Sequence, residues 1–372
     1  MKKTLFICST LGLIATMVAC HKTPSTPTGT VYLDLPATPA TYFTMGFSND
    51  TSFNQKATLG RVLFYDGHLS LNNAISCASC HKQELAFSDN VAFSTGYEAK
   101  LTQRNSKPIA NVTGFSPFNT QFESFAISSQ NMDLFWDGRE NILGNLADRP
   151  ITNHVEMGMD DPDKIPAKLA SISAYTPLFQ QAYGDNNITS ARISECLAVF
   201  MASIRTGNSK FEMKIMGVAS FNAQEARGFD LFTGKYDCNS CHHISSGGYL
   251  VEQSESKDIG LDSKYTDMGV GAITGYSGQN GTFRVPSLMN VALTAPYMHD
   301  GRYKTLGDVI DHYSHNIQPS ANLDTALRNT DGTPKQMNIT EQDKADLIAF
   351  LNTLTDYQMI ADPKYANPFK IK

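Results

Sequence analysis

The clearest periodicity lies between Ser190 and Arg205, where Ile193, Cys196, Leu197, Phe200 and Ile204 recur at helical spacing. This pattern predicts one amphipathic helix, stopped by Gly207-Asn208. A second helix is predicted after Thr340-Glu-Gln-Asp343, an N-terminal capping sequence, with Leu347, Ile348, Leu351 and Leu354 at helical spacing. Two shorter runs resemble each other. Arg61-Val-Leu-Phe64 and Arg227-Gly-Phe-Asp-Leu-Phe232 each predict a short helix with a Leu-Phe pair, followed by a loop. One helical unit is thus repeated. The Gly- and Ser-rich stretches around 245–281 predict an irregular loop with short strands. With 372 residues, the chain can form two domains, each with its own core.

The start of the chain follows a different pattern. Lys2 and Lys3 precede an uncharged, mostly apolar run from Leu5 to Ala19, too short to span a membrane comfortably. Residues 1–19 therefore read as an export signal. Met17-Val-Ala-Cys20 resembles a bacterial lipoprotein cleavage site, although Met17 departs from the usual Leu. Acyl chains on Cys20 would hold a soluble body to a membrane. The alternative is an ordinary signal peptide in which Cys20 is incidental. Residues 20–45, rich in Pro and Thr, read as a flexible tether. The expected domains are 46–215 and 216–372, and the expected location is periplasmic. The body has no membrane-spanning run.

Each repeated helix leads into the same short sequence. Cys77-Ala-Ser-Cys80-His81 and Cys238-Asn-Ser-Cys241-His242 are both C-x-x-C-H, the attachment sequence of a c-type haem. Each cysteine can form a thioether to one vinyl group, and the histidine supplies the proximal nitrogen to iron. Zinc pairs usually lie closer together in sequence, and a thioredoxin-like motif or a disulfide needs no such histidine. The fold expectation becomes mainly α, with two cytochrome-c-like domains, each carrying one covalent haem. Export agrees with this, because c-type haem is attached outside the cytoplasm. The seven cysteines then need no disulfides: Cys8 lies in the signal, Cys20 at the lipid site, four at haem, and Cys196 reads as a small buried apolar residue. A net charge of −6 disfavours nucleic acid as a partner and would suit a basic electron carrier.

Further runs carry a resemblance to a known family. They are Leu59-Gly-Arg-Val-Leu-Phe-Tyr-Asp66, Ala86-Phe-Ser-Asp89, Arg104-Asn105, Phe135-Trp-Asp-Gly-Arg139, Pro150, Glu156-Met157, Phe283-Arg-Val-Pro-Ser287 and Ala295-Pro-Tyr-Met-His-Asp-Gly-Arg302. Together with the two cysteine runs, they resemble the bacterial diheme cytochrome c peroxidases and their methylamine-utilisation (MauG) relatives, from about residue 55 to 356. The resemblance implies that peroxide reacts at the His81 haem and that the His242 haem handles electrons. Trp136, the only Trp, matches the residue between the haems; plain packing would also account for a large aromatic. Glu156 matches the acid that takes a proton from peroxide and returns it to the leaving oxygen. A solvated glutamate is the ordinary alternative. His299 matches a second polar residue of that distal pocket. Family members also hold calcium between the domains. By position, Asn105 would give a side-chain oxygen, and Thr294 and Pro296 would give backbone carbonyls.

Three departures from the family pattern matter. Tyr97 stands where many of these peroxidases place a histidine that blocks the peroxidatic iron, so an iron that is open or weakly covered by Tyr97 is expected, without reductive activation. Leu146 replaces the usual distal glutamine, with Asn145 on another side of the helix. Tyr313, fourteen residues after His299, stands where the peroxidases place a methionine ligand and the MauG type a tyrosine. Tyr313 is favoured as ligand of the second haem over His312 or His315, within a helix expected from Thr305 to Ser314. Three functions follow. The first is a peroxidase that reduces hydrogen peroxide with electrons from a small donor protein such as cytochrome c. The second is a MauG-like oxidase of a protein or small molecule, and the third a non-catalytic diheme electron carrier. A homodimer is expected from similar proteins.

Overall fold

The computed structural model describes residues 31–36, 41–42, 51–112, 134–244 and 255–371. The expected signal and Cys20 lie outside the described residues. The first half contains helices α1 (Thr51–Tyr65), α2 (Leu143–Thr152), α3 (Lys164–Ala170), α4 (Tyr175–Tyr183) and α5 (Ser190–Ser203). The second contains α6 (Lys210–Ile215), α7 (Ala223–Asp230), α8 (Val270–Thr274), α9 (Leu306–Asp311) and α10 (Glu341–Asn352). The expected mainly α architecture is present. Helix α5 covers the periodic run and begins at Thr189, whose hydroxyl accepts from the Arg192 amide. Helix α10 begins at the predicted cap, with Thr340 Oγ1 accepting from the Asp343 amide at 3.1 Å.

The internal repeat appears as two equivalent helix crossings. Helix α1 packs on α5, and α7 packs on α10. At the first crossing, a Cβ on Gly60 would lie 1.9 Å from the Cys196 carbonyl oxygen and 2.8 Å from Phe200 Cβ. At the second, a Cβ on Gly228 would lie 1.9 Å from the Asp346 carbonyl oxygen and 2.8 Å from Phe350 Cβ. In both, a glycine lets one helix backbone rest on the next. Gly228→Ala is therefore expected to lower the unfolding free energy by about 3 kcal/mol, the upper range for overpacking. Guanidinium melts of the haem-loaded protein check this. An unchanged midpoint would mean that the crossing tolerates a methyl group.

Two hydrophobic cores follow from these crossings. Phe64, Phe87 and Phe200 centre the first, and Phe211, Phe232 and Phe350 the second. The cores part between Ile204 and Phe211, slightly before the expected boundary near 215. The C-terminal tail, expected to belong to the second domain, returns to the first, burying Met359 and Tyr365 in its core. Polar ties hold it there. Gln83 Nε2 donates to the Asp362 carbonyl at 2.9 Å, and Arg61 Nη1 donates to that of Pro363 at 2.8 Å. The stretch read as a tether is also partly paired. Strand β1 (Val31–Leu33) lies antiparallel to the C-terminal strand β4 (Phe369–Ile371), and Tyr42 is buried. A second small ladder joins β2 (Ser256–Lys257) to β3 (Phe283–Arg284). Helices α7 and α9 each run on into a π-helical turn, Leu231–Lys235 and His312–Asn316, a form common at functional positions.

Candidate active site: two cysteine–histidine turns

Both C-x-x-C-H runs fold alike. Each is a single 3₁₀ turn, Cys77–Ser79 and Cys238–Ser240. The His81 amide bonds the Cys77 carbonyl at 3.0 Å, and the His242 amide bonds that of Cys238 at 2.9 Å. None of the four cysteines is paired in a disulfide. Burial pushes the Cys77 and Cys238 thiols up to about 12, unlike the low-pKa thiolate of a disulfide oxidoreductase. Both imidazoles face a backbone carbonyl through Nδ1. His81 Nδ1 lies 2.8 Å from the Phe87 oxygen, and His242 Nδ1 lies 3.2 Å from the Pro286 oxygen. A carbonyl only accepts, so Nδ1 carries the proton and Nε2 keeps its lone pair. Burial lowers both imidazoles, His242 down to about 4, so each stays neutral. The donor set fits a covalent haem with a proximal histidine at each turn.

The second turn opens on a cavity of about 570 Å³. Cys238, Cys241, His242, Phe232, Tyr313 and Trp136 are among the residues lining it. Of the three ligand candidates for this side, Tyr313 lines the cavity. His312 has both nitrogens engaged: Nε2 lies 2.8 Å from the Ile259 carbonyl and Nδ1 3.2 Å from the Tyr303 hydroxyl. His315 is exposed. Burial pushes the Tyr313 phenol up, and Cys241 and Cys238 lie close enough to add to this. The helix expected from Thr305 to Ser314 is instead α9 followed by a π-turn, and Tyr313 sits in that turn.

On the side of the first turn, the structure brings Glu156 and Tyr97 together. The Tyr97 amide donates to the Glu156 carbonyl at 2.8 Å. The Tyr97 ring lies over Gly158, where φ is +71° and a Cβ would come within 2.6 Å of it. Glu156 is half-buried, and its Oε1 accepts from Asn153 Nδ2 at 2.9 Å. Burial raises its carboxyl above the usual range, against the pull of the Arg139 guanidinium. Glu156 also acts on both Cys77 and Cys80, so it lies beside the first turn. Leu146 is buried in α2, while Asn145 is exposed and donates to Glu140 at 3.3 Å.

The segment 135–139 touches both sides. It is a loop closed by the Leu134 amide on the Glu140 carbonyl at 2.7 Å. Trp136 lines the cavity at the second turn; its Nε1 donates to the Asn105 carbonyl at 2.9 Å, and its own carbonyl accepts from the Arg284 amide at 2.9 Å. Three residues on, Arg139 acts on Glu156. Arg104 clamps the halves, bonding Asp137 at 2.5 Å and Asp267 at 2.7 and 2.8 Å. In the sequence, Arg104, Arg139 and Pro286 stand only as members of the matching runs. Their partners arise from tertiary contacts.

His299 is the residue that the resemblance assigns to the distal pocket as its second polar group. It is buried on the wall of the cavity at the second turn, stacked on Phe283 with centroids 3.8 Å apart. The groups acting on its ring include Asp300, Asp267, Arg302 and Arg104. Asn105, Thr294 and Pro296, the expected calcium ligands, all line the same cavity. The Asn105 amide also bonds the His299 carbonyl at 2.7 Å, joining the two halves.

The family described as di-haem cytochrome c peroxidase matches residues 54–220 and 232–371. The chain belongs to this family. It is 32% identical over 304 residues to methylamine utilization protein MauG of Methylorubrum extorquens, covering 81% of this chain and 78% of that protein. It is also 32% identical over 261 residues to cytochrome c551 peroxidase of Nitrosomonas europaea, covering 68% and 71%. Among solved structures, a MauG-like protein associated with microbial copper homeostasis superposes with a TM-score of 0.73 at 29% identity, covering 92% of this chain and 98% of that one. The diheme peroxidase BthA of Burkholderia thailandensis, 20% identical with a TM-score of 0.65, shares the fold. The chain is an oxidoreductase, a diheme c-type peroxidase, and family membership implies two haem c groups.

Proposed function

We propose that hydrogen peroxide reacts on the His81 side and that electrons pass through the His242 side. Haem c, when attached, supplies the iron chemistry that cleaves the O–O bond. Cys77, Cys80 and His81 would hold the first haem. Cys238, Cys241 and His242 would hold the second, together with Tyr313 from the wall of the same cavity. Glu156 would take the proton from incoming peroxide and deliver it to the departing oxygen. Trp136 would lie between the haems, positioned by its bond to the Asn105 carbonyl. Asn105, Thr294 and Pro296 would hold a calcium ion where the halves meet. The chain would act in the periplasm, anchored by acylated Cys20, with a small redox protein as its partner. A homodimer is its proposed assembly.

The observation carrying this reading is an asymmetry. A half-buried carboxylate with a raised pKa stands beside the first turn, while a half-buried phenol stands beside the second. The phenol also favours the MauG-like reading, in which a protein or small molecule is oxidised. Stopped-flow mixing of oxidised, haem-loaded protein with peroxide tests both. Direct reaction without pre-reduction is expected, because tyrosine replaces histidine at position 97. Resting EPR is expected to show one high-spin and one low-spin ferric haem. Two low-spin signals, with reaction only after reduction, would overturn the open-site reading. Preference between a reduced small cytochrome and an oxidisable protein then separates the two functions.

A further inference from the structure

The fold contains a tyrosine with its own route for a proton. Tyr175, in α4, is buried at 2% exposure, and its hydroxyl donates to Asp66 Oδ2. The other oxygen, Asp66 Oδ1, lies 2.6 Å from His68 Nδ1. The Asp66 side chain is 6% exposed, and that of His68 is 44% exposed. Phenol, carboxylate and imidazole thus form one line from core to solvent. Lys168 acts electrostatically with Asp66, and its Nζ donates to the Ser70 carbonyl at 2.7 Å.

Other phenols in or against the first core are wired differently. Tyr42 donates to the Lys364 carbonyl at 3.2 Å, Tyr65 to that of Tyr365 at 2.8 Å, and Tyr365 to that of Ser203 at 2.7 Å. A backbone carbonyl accepts a hydrogen bond but does not take the proton away. Tyr183, two helical turns beyond Tyr175, does bond a carboxylate, with Glu195 Oε2 at 2.9 Å. However, Arg192 lies 4.3 Å from its ring centroid and Lys56 lies 5.4 Å away, and these cations oppose removal of an electron.

The line also lies near the first haem turn. Helix α1 contacts both that turn and α4, the helix that carries Tyr175. The segment carrying His68 reaches the Glu156 loop directly, the Leu71 amide donating to the Met157 carbonyl at 3.0 Å.

We propose that Tyr175 is a redox site that surrenders one electron to the peroxide-oxidised His81 centre when no external donor is present. The phenolic proton moves along the existing bond to Asp66, and His68 passes a proton to solvent. The products are a neutral phenoxyl radical at Tyr175 and a centre reduced by one electron. Peroxide, the substrate of the peroxidase, is the only oxidant required. A later electron and proton, from the usual donor and from solvent by way of His68, restore the phenol. The line stores an oxidising equivalent inside the fold instead of leaving it to attack neighbouring side chains. This rests on the peroxidatic role of the first side.

The test mixes oxidised holoprotein with one equivalent of peroxide, without donor, and freezes it for EPR. A nitroso spin trap and peptide mass mapping locate the radical in parallel. A phenoxyl signal and an adduct at Tyr175 are expected. Tyr175→Phe should abolish both. Asp66→Asn, which keeps a bonding partner but takes no proton, should cut the radical yield at least tenfold. Haem absorbance and thermal melts establish that each variant is folded. If Tyr175→Phe were unstable, Asp66→Asn and the adduct map on the wild type would still decide. A full signal in either folded variant, or an adduct map without Tyr175, overturns the proposal. So does a wild type that consumes peroxide without a phenoxyl signal. A wild type that consumes no peroxide overturns the peroxidase reading and this proposal with it.

Discussion

Glu156→Gln is expected to lower kcat/KM for peroxide by about 10²–10⁴-fold, the range for loss of a general acid–base group. Both haem spectra should be unchanged. Glutamine keeps the size of the side chain and its bonding to Asn153, but cannot carry a proton between the two peroxide oxygens. Burial raises the Glu156 carboxyl, so the proton is exchanged more readily than by an exposed glutamate near its usual value of about 4.3. The sign of the pH effect follows. Glu156 must be ionised to take the first proton, so kcat/KM should fall as pH falls through its raised pKa. That acid limb should vanish in Glu156→Gln. It should move to higher pH in Arg139→Gln, because the guanidinium now holds the carboxyl down. Stopped-flow rates across pH measure all three. If Glu156→Gln reacts at the original rate, the proton is carried by another group.

Some of this arrangement was legible in the chain and some was not. Helix α5 and the Thr340 cap were readable because periodicity and capping are local. The repeated Leu-Phe helices were readable too. The matching roles of Gly60 and Gly228 were not, since a glycine announces close approach only once its neighbour is known. The return of the tail was hidden for the same reason. Strands β1 and β4 are three residues each, and their pairing joins opposite ends of the chain. His299 followed the family pattern in sequence, but its stacking on Phe283 was not legible, because that contact is tertiary. At the haem turns, the cysteines and histidines were evident. The carbonyls of Phe87 and Pro286 that set the imidazole tautomers were not, because a backbone oxygen has no signature of its own.

Tyr313→Phe is expected to remove the resting low-spin signal of the second haem and raise its reduction potential. The shift should be a substantial part of the roughly 0.8 V range that axial ligands span. Phenylalanine preserves the packing of the π-turn and deletes only the oxygen. The neighbouring imidazoles cannot readily replace it. His312 is tied to the Ile259 carbonyl and faces the Tyr303 hydroxyl, and His315 points to solvent from the outside of the turn. Tyr313→Met gives the complementary result. A thioether at that position should restore a low-spin haem at higher potential, since methionine raises potential where phenolate lowers it. Spectroelectrochemical titration with resting EPR reads both variants. The functional consequence follows from the potential. A second haem at higher potential accepts electrons from a small cytochrome more readily, so Tyr313→Met should increase turnover with that donor and weaken oxidation of any protein substrate. An unchanged low-spin spectrum in Tyr313→Phe would remove the oxygen from the coordination sphere, and with it the physical basis for separating this chain from a methionine-ligated peroxidase.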